Sequence, residues 1–275
     1  MEPDAGRVRT VRAIVVSHDS SAVLPRCLDS LRMAVGELDP GALDVVVVDN
    51  ASSDGSLELV RAHYPELAAL PCSENCGFGA GCNAGAAGAR ADALLLLNPD
   101  AWLEPGALRA LAAKLGADPR LGAVAPELAY PDGRLQFAWS PDRSVLGELV
   151  QKLRNRFEGA PWNHRALPAV WRALVGPGWY TAACLLVRRA AFEEVGGFDE
   201  GYFLYFEDAD LCVRLRRAGW RLAQERAARA VHLCGASSGA ARTSDAYRDS
   251  QLRYYAAHRP RWERRLVARR LSSRA

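Results

Sequence analysis

The sequence predicts an α/β fold: one domain with a mostly parallel central sheet and helices on both faces. Three observations point there. Short β-branched or leucine-rich runs recur along the chain, each followed by a stretch with apolar residues at spacings of three and four. Polar, turn-forming clusters stand at the ends of those runs. The 275 residues, 49% hydrophobic and 24% charged, suffice for one substantial core and have an ordinary globular composition.

In chain order, VRAIVVS (Val11–Ser17) reads as a buried parallel strand. Leu24, Cys27, Leu28, Leu31 and Val35 then mark one face of a helix. DVVVVD (Asp44–Asp49) is a second buried strand; NASSDG (Asn50–Gly55) is its turn, and a helix begins at Ser56. A short third strand fits Leu67–Leu70, a small-residue helix Ala80–Arg90, and a fourth strand Ala93–Leu97, running into Asn98-Pro99-Asp100. Gly106–Leu115 reads as a helix and Leu121–Ala125 as a strand. Between Ser140 and Trp171 the alternation breaks. Leu146, Leu149, Val150 and Leu153 keep helical spacing and a Pro/Trp/His-rich stretch follows, so this is an excursion over the ligand site. Tyr180–Val187 returns as a core strand, Phe192–Gly201 is turn-rich, and Glu207–Gly219 is a helix stopped by its glycine. Val231 and His232 end a last short strand.

Strand–helix alternation implies parallel strands joined by crossovers, and ligands of such sheets sit beyond the carboxyl ends of the strands. The polar residues fall there: Ser17, His18 and Asp19 after the first strand, Asp49 and Asn50 after the second, Asn98 and Asp100 after the fourth. Asp100 suits a hard divalent cation, Mg2+ or Mn2+, whose shell a ligand's phosphates would complete. Glu207 or Asp208, ionised in the first turn of a helix, suits a general base. Asp49 suits a hydrogen bond from a nucleobase or ribose. Each also has a plainer reading: Asp100 as a turn residue after proline, Asp208 as a helix cap, His232 as a hydrogen-bonded strand end, Ser17 and His18 as turn formers.

Composition excludes other classes. No run approaches the roughly 20 apolar residues of a membrane span. Met1–Thr10 has two acids, two arginines and no apolar core, unlike a secretory signal, so the expected location is cytoplasmic. Seven cysteines, an odd number, indicate reduced thiols, and Cys72, Cys76 and Cys82 lack the second pair of a zinc site. Gly79, Gly81 and Ala84 satisfy a dinucleotide-binding pattern, yet follow the third strand rather than the first, so a dehydrogenase is rejected. The net charge is +3, but eight arginines against one glutamate lie between Arg253 and Ala275. Those of 259–270, with Trp262, Leu266 and Val267, fit an amphipathic helix resting on the inner membrane surface, or a solvated face. Nucleic acid is not an expected partner, because aromatics do not interleave with basic residues elsewhere.

Five ordered blocks resemble glycosyltransferase family 2, over about residues 10 to 260. VVVDNASSDGS (Val46–Ser56), NCGFGAGCNAG (Asn75–Gly85) and LLNPD (Leu96–Asp100) resemble its donor side. VGGFDE (Val195–Glu200) with FLYFEDADLCVR (Phe203–Arg214) resembles its acceptor side, and HLCGAS (His232–Ser237) its closing element. The NPDA and ED-x-DLC-x-R blocks look like the rhamnosyltransferase branch. The resemblance implies a GT-A fold, with a nucleotide-sugar half (about 10–135), an acceptor and catalytic half (136–240) and a basic helical tail (241–275). It implies an inverting single displacement at the anomeric carbon, with Asp49 on the nucleobase and Asp208 as base beside Glu207. Asp100 would be the surviving acid of a D-x-D metal motif whose first position is Asn98, with His232 as a further metal contact. Asn75 and Asn83 would line the donor pocket, with Gly77 and Gly79 permitting close approach. Trp179 and Tyr180 are candidates for stacking on the acceptor or for the core, Arg214 and Arg217 for a diphosphate contact or a solvated face. By resemblance the donor is a dTDP-linked deoxysugar such as L-rhamnose, with a UDP-hexose as the alternative. The acceptor is a glycan, a lipid-linked glycan or a small molecule. A nucleotidyl enzyme would lack the downstream acidic pair; a non-catalytic relative is favoured only by Asn98.

Overall fold

The computed structural model of the chain describes residues 8–155, 177–234 and 240–272. The Pro/Trp/His-rich part of the excursion and Gly235–Ser237 of the closing element lie outside the described residues.

The N-terminal half alternates as the sequence dictates: β1 (Val11–Ser17), α1 (Leu24–Ala34), β2 (Leu43–Asp49), α2 (Ser56–His63), β3 (Ala68–Pro71), α3 (Phe78–Ala86) and β4 (Ala93–Leu97). The small-residue helix begins two residues earlier than its composition suggests, at Phe78, and stops at Ala86. Its glycines serve packing, since a Cβ at Gly81 would lie 2.7 Å from Val16 Cγ1 and one at Gly85 2.6 Å from Ile14 Cγ2. That close contact seats α3 on β1, and replaces the phosphate-binding role a glycine pattern suggests.

Next come β5 (Ala101–Leu103), α4 (Ala107–Ala117), β6 (Leu121–Ala129), β7 (Leu135–Gln136), β8 (Trp139–Ser140) and α5 (Val145–Asn155). After the undescribed segment follow β9 (Trp179–Tyr180), β10 (Cys184–Arg188), α6 (Arg189–Glu194), α7 (Glu207–Arg217), β11 (Arg221–His232), α8 (Ala240–His258) and α9 (Arg261–Ser272). Three expectations change here. The strand over Tyr180–Val187 is broken, because β9 pairs with β8 outside the main sheet while β10 enters it. The turn-rich segment starts with a helical turn, α6, and the last strand is long, twelve residues rather than a short end.

The main sheet has the order β3-β2-β1-β4-β10-β6-β11-β5, with β7 on β6. β3, β2, β1 and β4 are parallel, as are β6 and β11; β10 runs antiparallel between β4 and β6. Every side chain of β4 is buried on both faces, as a central parallel strand requires. Each such leucine contributes roughly 1.5–3 kcal/mol. Register aligns the exits, Ser17 opposite Asp49 and Asp49 opposite Pro71. Because β10 is reversed, its beginning meets those ends: Asn98 N donates to Ala183 O at 2.9 Å.

The basic tail is not a tail. α8 and α9 pack on each other and on the body of the protein, with Tyr254, Tyr255 and Val267 in the core. Their anchor is Asp210, 2% exposed, which accepts from His258 Nε2 at 2.6 Å and from Arg214 Nε at 2.7 Å. Arg214 also donates to Val195 O and Gly197 O, so it is neither a phosphate ligand nor a solvated residue. Arg217 is bonded to His258 Nδ1. Arg259 bridges Glu263 and Asp142, and Glu263 accepts from Val145 N at 3.1 Å, which ties α9 to the start of α5.

Removing a buried carboxylate leaves the Arg214 guanidinium uncompensated and the His258 ring without its partner, at about 3–5 kcal/mol. Asp210→Ala is accordingly expected to lower unfolding free energy by that amount in urea titration; a loss under about 1 kcal/mol would show the cluster to be dispensable.

Candidate active site

The carboxyl edge of the sheet gathers the candidates. Ser17 and His18 leave β1, Asp49 and Asn50 leave β2, Asn98 and Asp100 leave β4, and His232 ends β11. Glu207 and Asp208 open α7.

The loops after β1 and β2 hold each other. Asp19 Oδ1 accepts from Ser53 N at 2.7 Å, and Asp54 Oδ2 accepts from Ser21 N at 2.8 Å. Burial raises the Asp54 pKa, but hydrogen bonds from Ser56 and Ser21 outweigh it and hold the group down at about 2. His18 Nδ1 lies 2.9 Å from Asn50 O, and Asp49 Oδ2 accepts from Ser52 N at 3.1 Å. Asp49 is 3% exposed. Asn50 reaches the next loop, donating to Asn75 Oδ1 at 2.9 Å and Gly77 O at 3.1 Å.

Gly77 and Asn83 join the two halves of the chain. At φ +91°, a Cβ on Gly77 would stand 2.3 Å from Phe203 O, so the close approach there is to the protein's own backbone. Asn83 donates to Phe198 O and Glu200 Oε1 and accepts from Phe198 N, which uses both polar atoms of its amide. It brackets the loop before α7.

Asp100 is 2% exposed, and His232 Nε2 stands 3.3 Å from its Oδ1. Asn98 Nδ2 lies 3.4 Å from the same ring nitrogen, while Nδ1 faces Gln136 Oε1 at 3.2 Å and Cys234 Sγ at 3.6 Å. Burial depresses the His232 pKa, but Asp100 and Cys234 outweigh it and lift it to about 9. The Asp100 carboxylate and the Asn98 amide oxygen are fitting donors for a hard cation, and His232 joins them only on losing its proton, so they form an incomplete shell. No group of three or more His, Cys, Asp or Glu side chains converges as a metal site among the described residues.

The acid pair is set by strain and burial. Tyr205 and Phe206, at φ +68° and +66°, are consecutive left-handed residues just before α7, a conformation costing roughly 1–3 kcal/mol each. Burial of Phe206 against Tyr247 and Tyr254 offsets that cost. Asp208 Oδ1 accepts from Ala209 N at 2.8 Å, and Oδ2 from Ala182 N at 3.4 Å, an amide freed by the break between β9 and β10. Burial pushes its pKa up and Arg143 opposes the shift. The Glu207 pKa is pushed up to about 8, by burial and then by the charge of Asp208.

Arg143 is the residue that sequence reasoning missed. It is 8% exposed, its guanidinium 4.6 Å from the Trp179 ring centroid and 4.3 Å from that of Phe206, and its charge acts on both acids. No local periodicity marks it, because its neighbours come from β9, α7 and α8. It also covers Trp179, and Tyr180 is buried at 2%, so neither ring presents an open face for stacking on a sugar. Buried polar atoms without a hydrogen-bond partner gather at this edge: Ser17 Oγ, Asp49 Oδ1, Arg143 Nε, Trp179 Nε1 and Glu207 Oε2. Buried polar atoms of this kind are ordinarily completed by water or by a ligand. Two surface clefts by α1 and α4, both lined by Gly36, Glu37 and Arg109, carry none of these residues.

Comparison with known proteins accords with this architecture. The profile of glycosyl transferase family 2 matches residues 13–196, and the chain belongs to that family. N-acetylglucosaminyl-diphospho-decaprenol L-rhamnosyltransferase of Mycobacterium tuberculosis is 32% identical over 243 residues, 82% of this chain and 76% of that protein. Among solved structures, GalNAc-T7 with UDP, GalNAc and Mn2+ superposes with a TM-score of 0.61 at 15% identity, over 90% of this chain and 48% of that one. The mannosyltransferase PcManGT of Pyrobaculum calidifontis, in complex with GDP-Man and Mn2+, gives 0.54 at 18% identity, over 97% and 80%. The fold is that of the GT-A glycosyltransferases, and the protein is a rhamnosyltransferase-like glycosyltransferase.

The folded pKa of Glu207 lies above the unfolded one, so the folded chain binds more protons between them and loses stability as pH rises through about 8. Glu207→Gln removes that loss. Its melting temperature is expected to exceed the parent's at about pH 9 and to converge with it near about pH 5. A constant difference across that range would show that Glu207 titrates normally.

Proposed function

We propose that the protein transfers a deoxysugar, L-rhamnose from its dTDP donor, to a hydroxyl of a lipid-linked glycan by inverting, single displacement. The observation that carries the reading is the gathering of buried polar side chains at the strand exits together with the buried acid pair that opens α7. Asp208 is the base that takes the acceptor's proton, since its carboxylate accepts from Ala209 N and Ala182 N, hydrogen bonds that favour the ionised form. Protonated Glu207 avoids a second buried negative charge, and Arg143 stabilises the carboxylate of Asp208. Asp49 receives a hydrogen bond from the donor's base or ribose, with Ser17, His18 and Asn75 beside it.

Asp100 and His232 would hold a divalent cation, with Asn98 adjacent. When bound, such a cation neutralises the departing diphosphate. The L-rhamnosyl group and the lipid-linked acceptor are supported by the mycobacterial relative's name, and the cation by the Mn2+ in the two solved structures. Gly77 and Asn83 support the donor side indirectly, by fixing the loops around it.

The test begins with thermal shifts of the full chain against dTDP-, UDP- and GDP-sugars, with and without Mn2+. At about a hundredfold excess over Kd a donor stabilises by about 2.7 kcal/mol. A metal-dependent shift with dTDP-rhamnose is expected; a shift confined to a UDP-sugar would overturn the donor assignment. Asp208→Asn should reduce turnover by about 10²- to 10⁴-fold while keeping the donor-induced shift. Retained turnover would remove Asp208 as base. Asp100→Ala should abolish the Mn2+-dependent part of the shift, and an undiminished Mn2+ response would take Asp100 out of the cation site.

A further inference from the structure

Two apolar stripes on the surface take no part in the core or the site. α5 exposes Leu146, Leu149 and Leu153, the first at 70%. α9 exposes Trp262, at 63%, and Leu266. A hydrogen bond from Val145 N to Glu263 ties the start of α5 to the first turn of α9. At about 100° per residue, Trp262 and Leu266 lie on one strip of α9, with Arg265 and Arg269 along one side and Arg270 along the other. All three arginines are exposed, as is Lys152 on α5. The acids of these helices point elsewhere: Glu148 is bonded to Gln251, and Glu263 is buried against Arg259.

We propose that the exposed apolar faces of α5 and α9 dock on an anionic phospholipid bilayer. Leucines and a tryptophan fringed by arginines fit the apolar–headgroup boundary, where the rings and aliphatic chains enter and the guanidinium groups meet phosphate. Charge selects this occupant over a second copy of the chain. A two-fold contact through the same patch would bring the arginine fringes of both copies together. No described helix is long and apolar enough to cross a membrane, so this docking is peripheral. Docking also orients the site, since Arg143, beside the acid pair, lies two residues before α5. That consequence rests on the lipid-linked acceptor of the proposed function; the docking itself does not.

Co-sedimentation of the full-length protein with vesicles tests it. Binding is expected to vesicles of phosphatidylcholine and phosphatidylglycerol in equal parts, to fall on adding salt, and to be weak with phosphatidylcholine alone. Leu149→Ser with Trp262→Ser, and separately Arg265→Glu with Arg269→Glu, should each lower the partition coefficient about tenfold or more. Both pairs should leave the melting temperature and the donor-induced shift unchanged. Absence of vesicle binding overturns the proposal, as does binding indifferent to both pairs, or a dimer in light scattering that the leucine–tryptophan pair abolishes. Vesicle binding without transfer to a lipid-linked acceptor would overturn the acceptor reading and leave docking intact. Transfer by protein that ignores vesicles would do the reverse.

Discussion

The structure depends on one buried ionic junction. Asp210 binds Arg214 on its own helix and His258 from α8, and Arg214 carries on to the carbonyls of Val195 and Gly197. A single carboxylate thereby sets the rotation of α7, the path of the loop before it and the seat of the C-terminal helices. The acid pair in the first turn of α7 inherits its position from that junction. The acid third in line in the E-D-x-D block builds the frame in which the first two sit.

Electrostatics in the site follow from the same economy of charge. Two adjacent carboxylates in low dielectric cannot both ionise cheaply, and one buried guanidinium stands beside them. Arg143 is held by aromatic faces rather than by a carboxylate, which keeps its charge available to the acids and to an incoming anion. Left-handed residues recur at this edge: Asp19, Ala51, Tyr205, Phe206 and Cys234 all border the strand exits or the start of α7. Such conformations concentrate where a backbone is held to a functional geometry.

Much of this was legible in the sequence, and the illegible part has a physical pattern. β1, β2 and β4 announce themselves because a strand buried on both faces needs an unbroken apolar run, and Val45–Val48 and Leu94–Leu97 are such runs. The polar exits follow from parallel topology. What stayed hidden depends on partners distant in sequence. The break at Thr181–Ala183 is invisible locally, since Tyr180–Val187 has strand composition throughout; pairing of β9 with β8 decides it. Arg143 is one charge among many until Trp179 and Phe206 close around it. The C-terminal arginines look like a solvated stripe, and only the packed helices show that Arg253 pairs with Asp199 and Arg259 with Asp142 and Glu263.

The reversed strand β10 has a consequence for how the chain is made. β4 is flanked by β1 on one side and β10 on the other, and β10 alone joins it to β6. While the ribosome is still producing the segment after β6, β1 to β4 can already be assembled, yet β4 presents an open apolar edge of leucines. That edge invites pairing with another nascent chain until Cys184–Arg188 emerges to cover it. The window of exposure is written into the strand order, and truncations ending before β10 leave it permanently open.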